Sequence, residues 1–162
     1  MKKTITVIML IACIAISYGQ KDLEKKFTFY ALTEPGAYKD GANLGFGVEY
    51  QMNVFYFGVS TFVFPNLNGH TYIDLKGTIL GLNQHFDNHR VYAGGVVGTI
   101  YRGGQPYPTA GADFGYDFTF PNSNLFIGIG GNYLYRSDFE FWEANVSDYW
   151  KLSGFGKIGI RF

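Results

Sequence analysis

Apolar and polar positions alternate along much of the chain with a period of two, the repeat of a strand that shows a different surface on each face. The last stretch is the clearest. Trp150, Leu152, Gly154, Gly156, Ile158, Ile160 and Phe162 share one face, and Lys151, Ser153, Phe155, Lys157, Gly159 and Arg161 share the other. In Asn43–Gln51, Leu44, Phe46, Val48 and Tyr50 oppose Asn43, Gly45, Gly47, Glu49 and Gln51. In Thr109–Phe120, the face of Ala110, Ala112, Phe114, Tyr116, Phe118 and Phe120 lies opposite that of Asp113 and Asp117. Strand-like runs between turn-forming residues predict eight strands: Lys26–Leu32, Asn43–Gln51, Val54–Phe64, Thr71–Asn83, Val91–Tyr101, Thr109–Phe120, Leu125–Arg136 and Trp150–Phe162. Val54–Phe64 is apolar on both faces, and Val91–Tyr101, around Gly94-Gly95, fits either register. No stretch longer than a turn or two reads as a helix, and no linker divides this single domain.

The connections sort by length. Met52-Asn53 and Pro121–Asn124 are tight, whereas Thr33–Ala42 and Ser137–Tyr149 are long. Short turns with the chain ends on one side, and long loops on the other, suit an antiparallel up-and-down barrel of even strand number. One connection disagrees: Gln84–Arg90, on the short-turn side, is longer than Pro65–His70 on the long-loop side.

Composition then gives the barrel its surroundings. The 162 residues include 22 glycines, and aromatics make up 19% of the chain, whereas glycine ordinarily supplies about 7%. Met1-Lys2-Lys3, the apolar run Thr4–Ile16 and the small residues of Ser17-Tyr18-Gly19 form a secretory signal. Cleavage between Gly19 and Gln20 leaves residues 20–162 as the barrel domain. The apolar run is shorter than the ~20 residues a spanning helix needs. Leu10-Ile11-Ala12-Cys13 also resembles a bacterial lipobox, but the chain stays apolar as far as Ile16, which favours ordinary cleavage. Cys13 is the only cysteine, so its loss with the signal excludes disulfide scaffolds and thiolate sites. Thirteen basic residues less Lys2 and Lys3, against thirteen acidic ones, leave a net charge of about −2, with no nucleic-acid surface. The longest later apolar run, Val54–Phe64, is too short for a spanning helix, and a membrane protein without such helices is a closed barrel.

On these features the chain resembles the small eight-stranded outer-membrane barrels of the OmpA/OmpX type, over nearly all of its mature length. The resemblance rests on pattern and is most specific in Leu152–Phe162. It implies residence in the outer membrane of a Gram-negative cell, surrounded by lipid. It also implies that Ile158, Ile160 and Phe162 form the signal read by the barrel-assembly machinery. Gly156 departs from that pattern, which usually has a larger apolar residue there. Gln20, just after the cleavage site, also resembles exported proteins of some Gram-negative lineages.

Face assignment follows from size. Trp150, Tyr116, Phe118, Phe120 and Phe162 fit poorly inside eight strands, whose interior is barely wide enough for side chains. They are expected outward, against lipid, leaving glycines, small polar residues and a few charges inside. Those charges are Glu49, Asp74, Asp113 and Asp117 with Lys76, Lys157 and Arg161, and Glu49, Asp117 and Arg161 fall at similar heights. Buried charges are costly unless paired, so a paired structural plug is expected rather than a pore. Two alternatives stand beside it: a narrow ion channel, and a soluble lipocalin-like carrier with the aromatics turned inward.

No cofactor, metal site or catalytic centre is expected. Gly154-Phe155-Gly156-Lys157-Ile158-Gly159 matches GxGxxG but has no following helix to meet a pyrophosphate. His85 and His89, four apart around Asp87, could chelate zinc on a helix but lie in a turn. Ser60, Ser153, His70 and Thr71 assemble no triad for a lipid hydrolase. Asn145-Val146-Ser147 matches a glycosylation acceptor and is incidental in a bacterial protein. The best binding candidate is Ser137–Tyr149, where Phe139, Phe141, Trp142 and Tyr149 alternate with Asp138, Glu140, Glu143 and Asp148. Aromatics can anchor an extracellular ligand or partner, and the acids give the loop a negative field. The plainer reading extends the strand, with Trp142 at the headgroup belt.

Overall fold

The computed structural model describes residues 26–34, 43–67, 70–138 and 149–162. They form eight antiparallel strands: β1 Lys26–Thr33, β2 Leu44–Met52, β3 Phe55–Leu67, β4 His70–Phe86, β5 His89–Arg102, β6 Gln105–Thr119, β7 Leu125–Arg136 and β8 Trp150–Arg161. Each strand pairs with the next, and β8 returns to β1 to close the barrel. The closing register runs from Thr28↔Arg161 to Thr33↔Gly156. Beyond it, Phe27 and Phe162 exchange backbone hydrogen bonds of 3.0 and 2.7 Å, so neither edge is left open at this end of the wall. We call this end, with Phe27 and Phe162, the base, and the opposite end the loop end.

Several strands run further than alternation alone indicated. β3 and β4 stay paired to Leu67↔His70, where a loop over Pro65–His70 was expected. The expected turn Gln84–Arg90 shrinks to Asp87-Asn88, because β4 continues to Phe86 and β5 begins at His89. Asp87 takes a φ of 51°, a left-handed conformation that its short polar side chain tolerates. The base connection that had seemed too long is therefore as tight as a hairpin can be. At the loop end β5 and β6 meet through Gly103 and Gly104, with φ of 56° and 80°, values suited to glycine. β6 absorbs Pro106 and Pro108 into its first residues. Pairing with β7 stops at Thr109↔Arg136, so beyond it one edge of β6 has no ladder for a proline to interrupt.

The pairing of β4 with β5 shifts between Thr78 and Leu80. Ile79 and Leu80 are both exposed, at 58% and 57%, so the inward positions pass from Tyr72, Asp74 and Lys76 to Gly81 and Asn83. Around the outside, Phe46, Val59, Ile129 and Leu152 remain 56–68% exposed on different strands. An apolar band encircling the wall is a liability in water and the natural surface in hydrocarbon.

The inside differs from the expectation of small residues and a few charges. Tyr56, Phe62, Phe64, Tyr72, Tyr92, Ile100 and Phe126 all point inward and are buried. Room for them comes from the glycines. Tyr30 stands opposite Gly47 and Gly159, Tyr56 opposite Gly81, and Tyr92 opposite Gly115. A Cβ on Gly47 or Gly81 would lie 2.2 or 2.1 Å from the facing tyrosine ring. Each of these three tyrosines thus lies across a neighbour that has no side chain, and the two together fill one rung.

Candidate functional site: the charged and aromatic interior

In the base half, five charged side chains from β2, β5, β6 and β8 converge. Period-two geometry turns Glu49, Arg90, Asp117, Lys157 and Arg161 inward, and all five are buried. Arg90 Nη1 donates to Glu49 Oε2 at 2.7 Å and to Asp117 Oδ2 at 2.9 Å. Lys157 Nζ lies 2.9 Å from Asp117 Oδ1 and 3.8 Å from Glu49 Oε1. Arg161 Nη2 lies 3.3 Å from Asp117, while its Nη1 donates to Thr119 Oγ1 at 3.2 Å. Asp117 and Lys157 sit on β6 and β8, with Gly128 of β7 between them. A Cβ on Gly128 would come within 2.3 Å of Asp117 Oδ1 and 2.9 Å of Lys157 Cε, so the missing side chain is what lets the pair meet.

Two carboxylates thus meet three cations, and rings take up the remaining cationic faces. The Arg90 guanidinium lies 4.9 Å from the Tyr56 ring and 4.7 Å from Tyr92; Lys157 Nζ is 4.1 Å from Tyr92, and Arg161 is 5.1 Å from Phe126. Charges removed from water need such compensation at every face.

The other expected interior charges lie higher and pair differently. Asp113 accepts hydrogen bonds from Tyr56 Oη at 3.0 Å and Thr78 Oγ1 at 3.2 Å. Asp74 pairs with Lys76 on its own strand at 3.0 Å, and Lys76 Nζ lies 4.8 Å from the Phe62 ring. Around them, Leu32, Phe62, Phe64, Tyr72 and Ile100 form the apolar core of the loop-end half. Above Tyr72, Arg136 grips Asp138 through Nε and Nη2 at 2.9 and 2.7 Å, and Arg102 reaches it at 3.4 Å. Asp138 is therefore turned into the barrel mouth and neutralised, not added to the negative field of the loop as the sequence suggested. Between the two halves, the interior retains a cavity of about 20 Å3.

Alternation missed four of these charges. Arg90 falls in the expected turn Gln84–Arg90, although it precedes inward Tyr92 by two residues, and β5 in fact begins at His89. Arg102 likewise follows inward Ile100 by two, and Arg136 follows Leu134. Asp138 lies past the end of β7, yet it follows inward Arg136 by two and keeps the same phase.

Ile158, Ile160 and Phe162 face outward at the closing seam, 50%, 43% and 63% exposed. Tyr149 stacks on Tyr135 with ring centroids 5.6 Å apart, and Trp150 on Tyr133 at 5.0 Å. Phe139, Phe141, Trp142, the Asn145-Val146-Ser147 motif, Cys13 and the signal segment lie outside the described residues. Gly154–Gly159 lies wholly within β8. His85 and His89 are not a chelating pair. Across the hairpin His85 faces Arg90, and His89 faces Phe86 on the other side of the wall. His85 Nε2 is hydrogen-bonded to Asn83 Oδ1, and His89 Nδ1 to the Tyr116 hydroxyl.

No family model matches the chain. No curated protein matches it in sequence. Solved structures do match in fold. Neisserial surface protein A is similar with a TM-score of 0.56 at 15% identity, over 85% of this chain and 95% of that one. The N-terminal β-barrel domain of Pseudomonas aeruginosa OprF is similar with a TM-score of 0.58 at 12% identity, over 86% of this chain and all of that one. At such identities the likeness is one of fold. The chain is an eight-stranded closed antiparallel barrel and shares its fold with these outer-membrane barrels.

Proposed function

We propose that the protein resides in the cell outer membrane, exported by residues 1–19, and serves a structural or surface-interaction role without catalysis and without an open pore. The observation that carries this reading is the filled interior: a paired charge layer in the base half and an apolar core above it. An ion crossing the barrel would have to break the first and then force apart the packed rings of the second, whose charged groups are already paired. A carrier needs ligand space, and a cavity of about 20 Å3 holds no organic molecule. In this reading the base faces the periplasm and the apolar band meets lipid. The barrel-assembly machinery reads Ile158, Ile160 and Phe162, and any extracellular partner binds at the outer loops through Phe139, Phe141, Trp142 and Tyr149.

Boiled and unboiled samples of the membrane fraction, compared by gel mobility, test the membrane assignment. A heat-dependent shift is expected, and recovery as a soluble periplasmic protein without one would overturn it. Planar bilayers test the plug: no single-channel steps are expected from the parent protein. Deleting residues 139–148 should abolish surface binding while leaving the heat-dependent shift intact.

A further inference from the structure

The cavity of about 20 Å3 lies where the two halves of the interior meet, lined among others by Glu49, Lys76, Thr78, Tyr92, Asp113 and Lys157. We propose that it is a binding site for ordered water, which joins the base charge layer to Asp113.

Size sets the first limit, since a cavity holds a water once it offers roughly 10–15 Å3 of such space. This one therefore takes about one molecule and nothing larger than a small ion. Charge decides between those guests. Glu49 and Asp113 balance Lys76 and Lys157 in the lining, so neither a cation nor an anion gains from entering. Water, which donates and accepts, suits a lining that mixes carboxylates, ammonium groups and hydroxyls.

Tyr92 gives the second, independent argument. Its hydroxyl oxygen is buried and has no hydrogen-bond partner among the described residues. The wall cannot provide one. That oxygen lies over Gly115 and Gly130, 2.3 and 2.8 Å from where their Cβ atoms would be. A buried hydroxyl is normally satisfied, and the adjoining cavity is the place from which a partner can approach. Asp113 already accepts from Tyr56 and Thr78, yet each carboxylate oxygen has a further lone pair to offer. Water between Tyr92, Asp113 and the Glu49–Lys157 pair therefore makes one continuous polar column from Arg161 to Asp113. The column is blind, because Phe62, Ile100 and their neighbours close it above.

Rotating-frame water–protein cross-relaxation, measured by NMR on the folded barrel in lipid nanodiscs, tests the site. Persistent water cross-peaks are expected at the side chains of Thr78 and Tyr92, both in the cavity lining. Ser60→Leu, which fills the cavity from its lining, should abolish them while the heat-dependent gel shift is retained. Tyr92→Phe keeps the ring and removes only the hydroxyl, and should shorten the water residence at least tenfold; it serves equally if Ser60→Leu does not fold. Three results would overturn the proposal: no cross-peaks in the parent, cross-peaks unchanged in the variants, or cross-peaks that respond to exchanging sodium for choline or chloride for glutamate, which would identify an ion.

Discussion

The two halves of the barrel interior solve one packing problem with opposite chemistry. In the base half, Glu49, Arg90, Asp117, Lys157 and Arg161 interlock, with Tyr56, Tyr92 and Phe126 against their cationic faces. In the loop-end half, Leu32, Phe62, Phe64, Tyr72 and Ile100 pack by shape around the single Asp74–Lys76 pair, below the Arg102–Arg136–Asp138 cluster. The contrast lies in tolerance. An apolar core loses stability in proportion to the volume removed, whereas a charge layer fails when one member leaves the others uncompensated. The base half is also the more demanding of register. A one-residue slip of β8 would turn Lys157 and Arg161 onto the apolar outer face, so the charges act against misaligned closure as well as stabilising the aligned one.

Removing Asp117 is expected to break this contrast most severely. Asp117→Ala leaves Arg90, Lys157 and Arg161 around one carboxylate and should cost about 3–5 kcal/mol, read from the urea midpoint of the heat-shifting form. Phe62→Ala should cost about 3 kcal/mol through the cavity it opens. Neither variant alone should give single-channel steps in planar bilayers, because Phe62→Ala leaves the charge layer and Asp117→Ala leaves the apolar core. Gly128→Val forces the Asp117–Lys157 pair apart and should cost about 2 kcal/mol by overpacking; in a crystal structure of the variant the two side chains should no longer touch. Arg161→Ala should cost least, about 1.5 kcal/mol in the same urea assay, because Arg90 and Lys157 still cover Asp117. If Arg161→Ala instead matches Asp117→Ala, the base half is not a shared network but a set of single pairs.

Strand number, antiparallel order and the outward aromatic face were legible because period two persists wherever one face is wet or charged and the other apolar. Legibility fell where that contrast failed. In Phe55–Leu67 both faces are apolar, one on the exposed outer wall and the other on the inner core. In β4 the extra residue near Ile79 inverts the alternation midway, so no single phase describes the strand. The interior charges that lay in well-phased segments, from Glu49 to Arg161, were readable as inward. Arg90, at the centre of the layer, was lost through a turn drawn too wide. Pairing was not readable at all: Asp74 finds Lys76 two residues away, and Asp113 finds hydroxyls, because height within a tilted barrel depends on stagger between strands.

The opposition of tyrosine and glycine across neighbouring strands carries a consequence for how such a sequence can drift. What the packing fixes is the volume of a rung, not the identity of either residue. A bulky ring at position 47 would fit only if position 30 gave one up, so the two positions are coupled by shape. Compensating exchanges of this kind leave the barrel intact while changing two letters at a time. Chains with this architecture can therefore lose nearly all resemblance in sequence and still superimpose in space.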